Sequence, residues 1–186
     1  MLEKYKEILK PMLSEKRYIH SIGVSKTARE LAQRYNTDAD KAELAGLIHD
    51  CAKDIPKDKI QEYCRRYNYI PDAVEQKNIG LIHAPLGAKM IDDIFGITDK
   101  EIKKAVKYHT TAGENMSPLD KIIYLADMIE PSRNYKEANE LRRLSLENLD
   151  NAFLKALDYS LIFNIQKGVL IHPNTLLARN ELIMKG

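Results

Sequence analysis

The sequence has few of the residues that build β-sheets, and no segment suited to crossing a membrane. Its 186 residues include 8 glycines, 7 prolines, four valines and no tryptophan, which leaves little material for hairpins or β-branched strands. No stretch approaches the roughly 18 uninterrupted apolar residues of a membrane helix. The first residues carry charges where a signal peptide needs an apolar run. We therefore expect no contact with a membrane and a cytoplasmic location.

Cysteine is equally scarce. Cys51 and Cys64 are the two cysteines of the sequence, and their spacing fits neither a metal finger nor a redox motif. Such sparse use of cysteine is typical of a reducing compartment. We interpret both residues as buried structural thiols.

An excess of charge of either sign is also missing. The 29 Lys and Arg residues against 27 Asp and Glu residues give a net charge of +2, too balanced for a protein built around a nucleic-acid polymer. The pairs Arg65-Arg66 and Arg142-Arg143 are interpreted as solvated helix surface. A chain of this length buries roughly 70% of its unfolded surface without needing a disulfide or a structural metal. We therefore expect a single domain, in which any metal is functional.

Apolar residues recur at three- and four-residue spacing along almost the whole chain, which is typical of amphipathic helices. This pattern predicts an all-α bundle. The predicted helices cover, in order, residues 2–12, residues 18–35, a segment capped by Asp38 or Asp40, a long stretch over about 137–166 and a segment after Pro173. We expect the C-terminal helices, about residues 137–186, to pack on the bundle.

Two further helices have explicit start signals. Thr98, followed three residues later by Glu101, predicts a capping box. Ser117-Pro118 combines a capping serine with proline at the first helical position. The helix that follows Ser117-Pro118 should end before Pro131.

Most of the histidines fall at apolar helix faces or helix ends. Together with two aspartates they form an array drawn from different helices: His20, His49-Asp50, His83, His109 and Asp127. Asp127 is the most informative, because an ionised carboxylate among apolar neighbours is costly unless it is paired or binds a metal. Each residue alone is more often a hydrogen-bonded core group. The combination instead predicts a site for a first-row transition ion with positions open to water and substrate.

The segments around these residues resemble the HD-domain phosphohydrolases, and more closely the bacterial YqeK family. The array His20, His49-Asp50 and Asp127 is similar to the metal-binding signature of HD domains, and His83 and His109 fit subgroups with an enlarged site. The closer resemblance is carried by six segments: KRYIHS at 16–21, HDCAK at 49–53, YHTTAG at 108–113, LDKIIYLAD at 119–127, IEPSR at 129–133 and IHPNT at 171–175. They span the chain from residue 16 to the last predicted helix.

Members of the YqeK family split diadenosine tetraphosphate symmetrically into two ADP. The resemblance therefore implies an HD-type helical bundle and a hydrolase in which a metal-activated water attacks phosphorus. It implies iron as the metal, whereas the residues alone suit manganese, cobalt, nickel or zinc equally well. The implied ligands are His20, His49, Asp50 and Asp127. His83 and His109 would bind a second metal with Asp50 bridging, or donate hydrogen bonds to phosphate.

Phosphoryl transfer asks a protein mainly for positioning and positive charge. Arg17 and Lys53 each lie three residues from a predicted ligand, a spacing that brings helical side chains together, and Arg133 follows the helix of Asp127. The residues expected to act in catalysis are Asp50, Lys53, His83 and His109. Those expected to contact the substrate are Arg17, His20, Lys53, His83, His109, Thr110, Thr111, Asp127, Arg133, Ile171, His172 and Thr175. His172 precedes a helix whose free N–H groups favour an anion, although it could equally be a helix cap.

Three other functions stay open. A nucleotidase acting on other (deoxy)nucleotides would use the same metal core. A cyclic-dinucleotide phosphodiesterase would also use the extra histidines, but the sequence lacks the Gly-Tyr-Pro tripeptide typical of that branch. A nucleotide-binding regulator without catalysis is a third alternative, disfavoured by the complete ligand set. For partners, we expect a dinucleoside polyphosphate and a homodimer contact through the apolar positions of residues 137–166.

Overall fold

The protein is described by a computed structural model, which covers residues 2–185. Within these residues the regular structure is helical and contains no strand, which confirms the all-α prediction. The α-helices, in chain order, are α1 Leu2–Leu9, α2 Glu15–Arg34, α3 Ala39–Ile48, α4 Ile60–Arg66, α5 Ala73–Lys77, α6 His83–Phe95, α7 Lys100–Tyr108, α8 Pro118–Ile129, α9 Lys136–Ser145, α10 Leu149–Gln166 and α11 Pro173–Lys185. Two 3-10 turns lie at Lys10–Met12 and Ile79–Leu81.

Helix α8 is the centre of the bundle. It contacts α2, α3, α7, α9 and α10, and its Ile122, Ile123 and Leu125 side chains are fully buried. Alanines at the contacts, among them Ala28 and Ala45, are fully buried too and let neighbouring helices approach closely. A polar residue on α8 is therefore surrounded by several helices at once, which makes Asp127 a natural meeting point for side chains from distant parts of the chain.

Several predicted helix boundaries are confirmed. Asp38 caps α3, because its carboxylate accepts hydrogen bonds from the backbone N–H groups of Asp40 and Lys41. Ser117 forms a capping box with Asp120 at the start of α8. That helix ends at Ile129, before Pro131, as the sequence predicts.

Two boundary predictions are wrong. Thr98 does not cap α7. Asp99 does so, accepting from the N–H groups of Glu101 at 2.8 Å and Ile102 at 3.2 Å, since an ionised carboxylate one residue closer to the helix reaches both donors. The stretch over 137–166 is not one helix but two, α9 and α10, because Asn148 turns the chain and caps α10.

The two cysteines are buried and unpaired within the described part of the chain, as predicted for structural thiols. Burial raises the pKa of Cys51 to about 12 and raises that of Cys64 as well, so neither thiol is activated as a nucleophile. Among residues 2–185, no helix combines the length and the apolar character needed to span a bilayer.

Candidate metal centre and active site

Four imidazole rings meet beside α8, and each has its Nδ1 atom already engaged. In three rings the carbonyl three residues earlier accepts the hydrogen bond from Nδ1–H, at 2.7 to 2.8 Å: His49 with Gly46, His83 with Gly80 and His109 with Val106. His49 and His109 directly follow the last residues of α3 and α7, where carbonyls of the final turn lack helical partners. In the fourth ring, His20 Nδ1 lies 3.0 Å from a carboxylate oxygen of Glu130. All four rings therefore direct Nε2 inward.

Asp50 lies at the centre of these rings and is only 2% exposed. Its Oδ1 atom is 3.0 Å from His83 Nε2 and 3.4 Å from His109 Nε2. Its Oδ2 atom is 3.4 Å from His49 Nε2 and 3.8 Å from His20 Nε2. The two oxygens thus face two different pairs of imidazoles, which is the arrangement of a carboxylate that can bridge two ions.

Asp127 completes the cluster from α8. Its Oδ1 atom lies 3.0 Å from His20 Nε2 and 3.9 Å from His49 Nε2. The side chain is 20% exposed, so the apolar neighbours in sequence face the core while the carboxylate faces the mouth of the site. Three sets of these residues have ligand atoms close enough to share an ion: His20 with His49 and Asp50, His49 with His109 and Asp127, and Asp50 with His83 and His109.

Both carboxylates are ionised at neutral pH. Burial alone would raise the pKa of Asp50, but the imidazole rings of His49, His109 and His83 around it hold that pKa well below its usual range. Burial also acts to raise the pKa of Asp127, but the neighbouring His20, His49 and His109 rings together lower it. The site therefore offers two anionic oxygen donors.

The donor set fits a divalent cation. An imidazole whose proton is committed to Nδ1 has a lone pair on Nε2, and here these lone pairs face carboxylate oxygens. Two acceptors face each other stably only when a proton or a cation lies between them. Burial lowers the pKa of His83 to about 4, so its ring is neutral at pH 7. His49 Nε2 is buried and has no hydrogen-bond partner among residues 2–185, as expected for an atom that binds a metal.

Comparison with known proteins identifies the fold family. Residues 17–132 match the HD domain. The chain belongs to the HD-domain family. It is 37% identical over 175 residues to the symmetrical bis(5'-nucleosyl)-tetraphosphatase of Bacillus subtilis, covering 94% of each chain. It is also 37% identical over 184 residues to the enzyme of that name from Halalkalibacterium halodurans, covering 96% of this chain and 95% of the relative.

A solved structure has the same HD-type fold. The crystal structure of a predicted HD superfamily hydrolase involved in NAD metabolism from Clostridium acetobutylicum has a TM-score of 0.95 and 43% identity. The match covers 100% of this chain and 98% of that one. The predicted resemblance to the YqeK family and the predicted HD-type bundle are both confirmed.

The two arginines predicted beside the predicted metal ligands each contact a carboxylate of the cluster. Arg17 donates a 2.7 Å hydrogen bond to Asp50 Oδ2. Arg133 donates at 2.6 Å to Asp127 Oδ1 and at 2.8 Å to the carbonyl of the same residue. Their side chains are 29% and 34% exposed, so both guanidinium groups lie at the solvent-facing edge of the site.

Lys53 lies deeper in the site. It follows α3 in a turn that begins at His49, and its ammonium nitrogen is 3.3 Å from His83 Nε2. Burial lowers its pKa, partly opposed by the negative charge of Asp50. Lys53 therefore adds a third cationic group beside the same carboxylate that Arg17 contacts.

A cavity of about 550 Å³ opens beside the cluster, between α8 and α10. His109, Thr110 and Asp127 form its inner wall, and aromatic side chains that include Tyr135 and Phe163 form its outer wall. The hydroxyl of Thr110 is buried and has no hydrogen-bond partner within the described residues. The cluster of histidines and aspartates is thus next to an aromatic pocket that contains an unpartnered hydroxyl, a combination suited to a nucleoside.

Four predicted substrate residues lie around the end of α7 and the start of α11: Thr111, Ile171, His172 and Thr175. The Thr175 hydroxyl donates to the carbonyl of Thr111 at 2.8 Å. His172 binds the Asp72 carboxylate at 2.8 Å through Nε2 and accepts from the Asn174 N–H at 3.2 Å through Nδ1, which is a helix-cap contact. Within residues 2–185 these four side chains make no hydrogen bond to the cluster of histidines and aspartates. The hydrogen bonds of Thr111, His172 and Thr175 instead stabilise the loop before α11.

Sequence reasoning missed two residues near the site. Glu130 is 2% exposed and contacts His20. Its segment IEPSR carries part of the family resemblance, but no role is predicted for the glutamate. Arg142, interpreted as solvated surface, is not: it donates to three main-chain carbonyls at the end of α8 and in the loop after it. Helix α9 folds back over α8, so one of two adjacent arginines points inward. Arg143 points outward, as predicted, and pairs with Glu147.

Proposed function

We propose that this HD-domain protein is a metal-dependent hydrolase that cleaves diadenosine tetraphosphate symmetrically into two ADP. The observation that carries the proposal is the convergence of four Nε2 atoms on Asp50 and Asp127, with the Nε2 of His49 buried and unpartnered within the described chain. The relatives from B. subtilis and H. halodurans carry this activity in their names and match nearly the full chain.

Within this proposal, one divalent ion takes four ligands: His20, His49, Asp50 and Asp127. A second ion would lie between Asp50, His83 and His109. Bound there, a divalent metal polarises phosphoryl oxygens and lowers the pKa of a bound water. We propose iron, on the family resemblance, although this donor set also accepts manganese, cobalt, nickel and zinc. Elemental analysis of protein purified without oxygen would identify the metal.

The cations around the cluster would position and neutralise the tetraphosphate. Water attacks one of the two central phosphorus atoms, the new P–O bond forms, and the bond to the central bridging oxygen breaks. The bridging oxygen leaves with its electron pair on the second ADP, where it stays as a phosphate oxygen. Arg17, Lys53 and Arg133 would stabilise the charge that develops on these oxygens, a role supported by their contacts with the cluster. His83 and His109 would bind phosphate where no second ion is present.

One nucleoside would occupy the aromatic cavity beside Asp127, with the Thr110 hydroxyl donating to ribose or phosphate. The loop fastened by Thr111, His172 and Thr175, which carries Ile171, would form a further wall of the nucleotide site. Placing a nucleoside there would give a partner to the Thr110 hydroxyl, which has none among residues 2–185. It also explains why aromatic side chains border a cluster of charged groups.

Product analysis tests the proposed function. Metal-loaded protein is incubated separately with diadenosine tetraphosphate, nucleoside monophosphates and cyclic dinucleotides, and the products are separated by chromatography. ADP should be formed from the tetraphosphate alone, and Asp50→Asn should abolish it. Asp150→Asn is the control, since Asp150 is a surface residue paired with Lys121. Turnover of the other substrates without cleavage of the tetraphosphate would contradict the proposal.

The predictions of a single domain, a homodimer and a cytoplasmic location stay predictions. A domain that includes the C-terminal helices is supported by the packing of α10 on α8, α9 and α11. A homodimer is supported by exposed apolar side chains near the end of α10, namely Ile162, Phe163 and Ile165. Sedimentation velocity of the wild type and of Phe163→Glu would test the dimer.

A further inference from the structure

Glu130 is a buried carboxylate whose two oxygens are both engaged. Its Oε1 lies 3.0 Å from His20 Nδ1 and also accepts from the Ser132 hydroxyl. Its Oε2 accepts from the Ser132 backbone N–H at 2.8 Å. Burial would raise the pKa of Glu130, but the two bonds from Ser132 and the one from His20 lower it. The buried Glu130 carboxylate thus contacts the Nδ1 edge of the His20 ring, whereas the Nε2 edge faces the ligand cluster.

Gly23 provides the space that Glu130 occupies. It lies one helical turn after His20 on α2, and a Cβ atom at this position would be 2.6 Å from Glu130 Oε2 and 3.3 Å from its Cδ atom. Any other residue here would displace the carboxylate. Glycine inside a helix costs stability relative to alanine, so the close approach of Glu130 gives a physical reason for its presence.

Arg142 fixes the segment that carries Glu130. Its guanidinium donates to the carbonyl of Ile129 at 2.8 Å, of Glu130 at 2.9 Å and of Arg133 at 2.7 Å. Three bonds from one planar group set the path of the chain where it leaves α8. The carboxylate that touches His20 and the guanidinium that touches Asp127 therefore depend on a single residue of α9.

We propose that Glu130 is the positioning residue for the ligand His20, with Gly23 and Arg142 holding it in place. A carboxylate that accepts from Nδ1–H fixes the ring orientation, keeps the Nε2 lone pair directed at the ion and increases the basicity of the ligand. This role rests on the metal site of the proposed function. Glu130 itself does not touch the substrate or the ion.

A titration with Co²⁺ alone, monitored by visible absorption spectroscopy and by calorimetry, tests the role of Glu130. Loss of such an outer partner typically costs about 10- to 100-fold in metal affinity, and we expect this loss for both Glu130→Gln and Glu130→Ala. In both variants the absorption bands of bound Co²⁺ should also shift, because the His20 ring is no longer held in one orientation. Glu140→Gln, at an exposed glutamate of α9, is the matched control and should bind Co²⁺ like the wild type.

A double-mutant cycle separates positioning from general damage to the fold. Gly23→Ala should weaken Co²⁺ binding in the wild-type background and have little effect in the Glu130→Ala background, where no carboxylate is left to displace. An equal loss in both backgrounds would mean that Gly23 acts through helix packing and would overturn the proposed coupling. Arg142→Ala should weaken binding as well, whereas the neighbouring Arg143→Ala should not.

The outcomes distinguish this inference from the function on which it rests. If wild-type protein binds Co²⁺ and Glu130→Gln binds it equally well with unchanged absorption bands, the positioning role is refuted and the metal site stands. If the wild type binds no Co²⁺ under any condition that keeps it folded, the proposed metal site fails, and the role of Glu130 fails with it.

Discussion

Replacing Asp127 with alanine should reduce metal-induced stabilisation while the helical fold survives. The carboxylate contacts His20 at 3.0 Å and Arg133 at 2.6 Å. Without it, His20 keeps its bond to Glu130, and the 34% exposed Arg133 side chain can turn to water. Loss of charge-assisted hydrogen bonds of this kind costs about 1–3 kcal/mol, less than a typical domain's stability. Far-ultraviolet circular dichroism should therefore show the same helical content in both proteins.

The response to added metal should differ clearly. For an ion at about 100 times its Kd, binding stabilises the native state by about 2.7 kcal/mol. In a protein of this size 1 kcal/mol shifts Tm by about 2–4 °C, so the wild-type Tm should rise by about 5–11 °C on this scale. The variant should show a clearly smaller rise, because the ion site that contains Asp127 loses one of its four proposed ligands while the proposed second site, at Asp50, His83 and His109, keeps its own. Asp150→Ala, which removes a 60% exposed carboxylate, should keep the full rise. An equal rise in Asp127→Ala would refute the assignment of Asp127 as a ligand.

Three further predictions follow from the contacts. Arg133→Ala should keep stoichiometric metal by elemental analysis while kcat/KM falls by about 30- to 1,000-fold, and loss of metal would contradict its role toward substrate. Asp99→Ala should lower the free energy of unfolding in urea by about 0.5–2 kcal/mol, whereas Thr98→Ala should change it by less than about 0.5 kcal/mol. Because burial raises the pKa of Cys51 to about 12 and also raises that of Cys64, neither should react with a thiol reagent at pH 8 until the protein is unfolded, and rapid labelling of native protein would contradict their burial.

Much of the fold could be predicted because its helices carry local signals. The three- and four-residue spacing of apolar side chains and the helix start at Ser117-Pro118 depend on residues close in sequence. The structure agrees with both signals. The cap of α7 is predicted one residue too early, because Thr98 and Asp99 are both residue types that cap helices. The choice depends on which side-chain oxygen can accept from two backbone N–H groups at once, and that is the oxygen of Asp99. The break at Asn148 was missed because apolar residues continue on both sides of it.

The meeting of these histidines and aspartates in space could be predicted because buried histidines and aspartates are rare and costly, so each one signals a partner. The outer parts of the site depend on contacts that sequence spacing does not contain. Glu130 and His20 are 110 residues apart, and nothing local distinguishes Arg142 from Arg143 until α9 is seen to fold over α8. The same holds for His172, whose contact with Asp72 joins segments that are 100 residues apart.

The most direct test of the proposed chemistry is hydrolysis of diadenosine tetraphosphate in ¹⁸O-labelled water, followed by mass spectrometry of the products. Attack of water on a central phosphorus should give ADP as the only nucleotide product, with one label in half of the ADP molecules, because one ADP receives the water oxygen and the other leaves. AMP and ATP in equal amounts would mean that the bond between an outer and a central phosphate is broken, which would contradict the symmetrical cleavage proposed for this site.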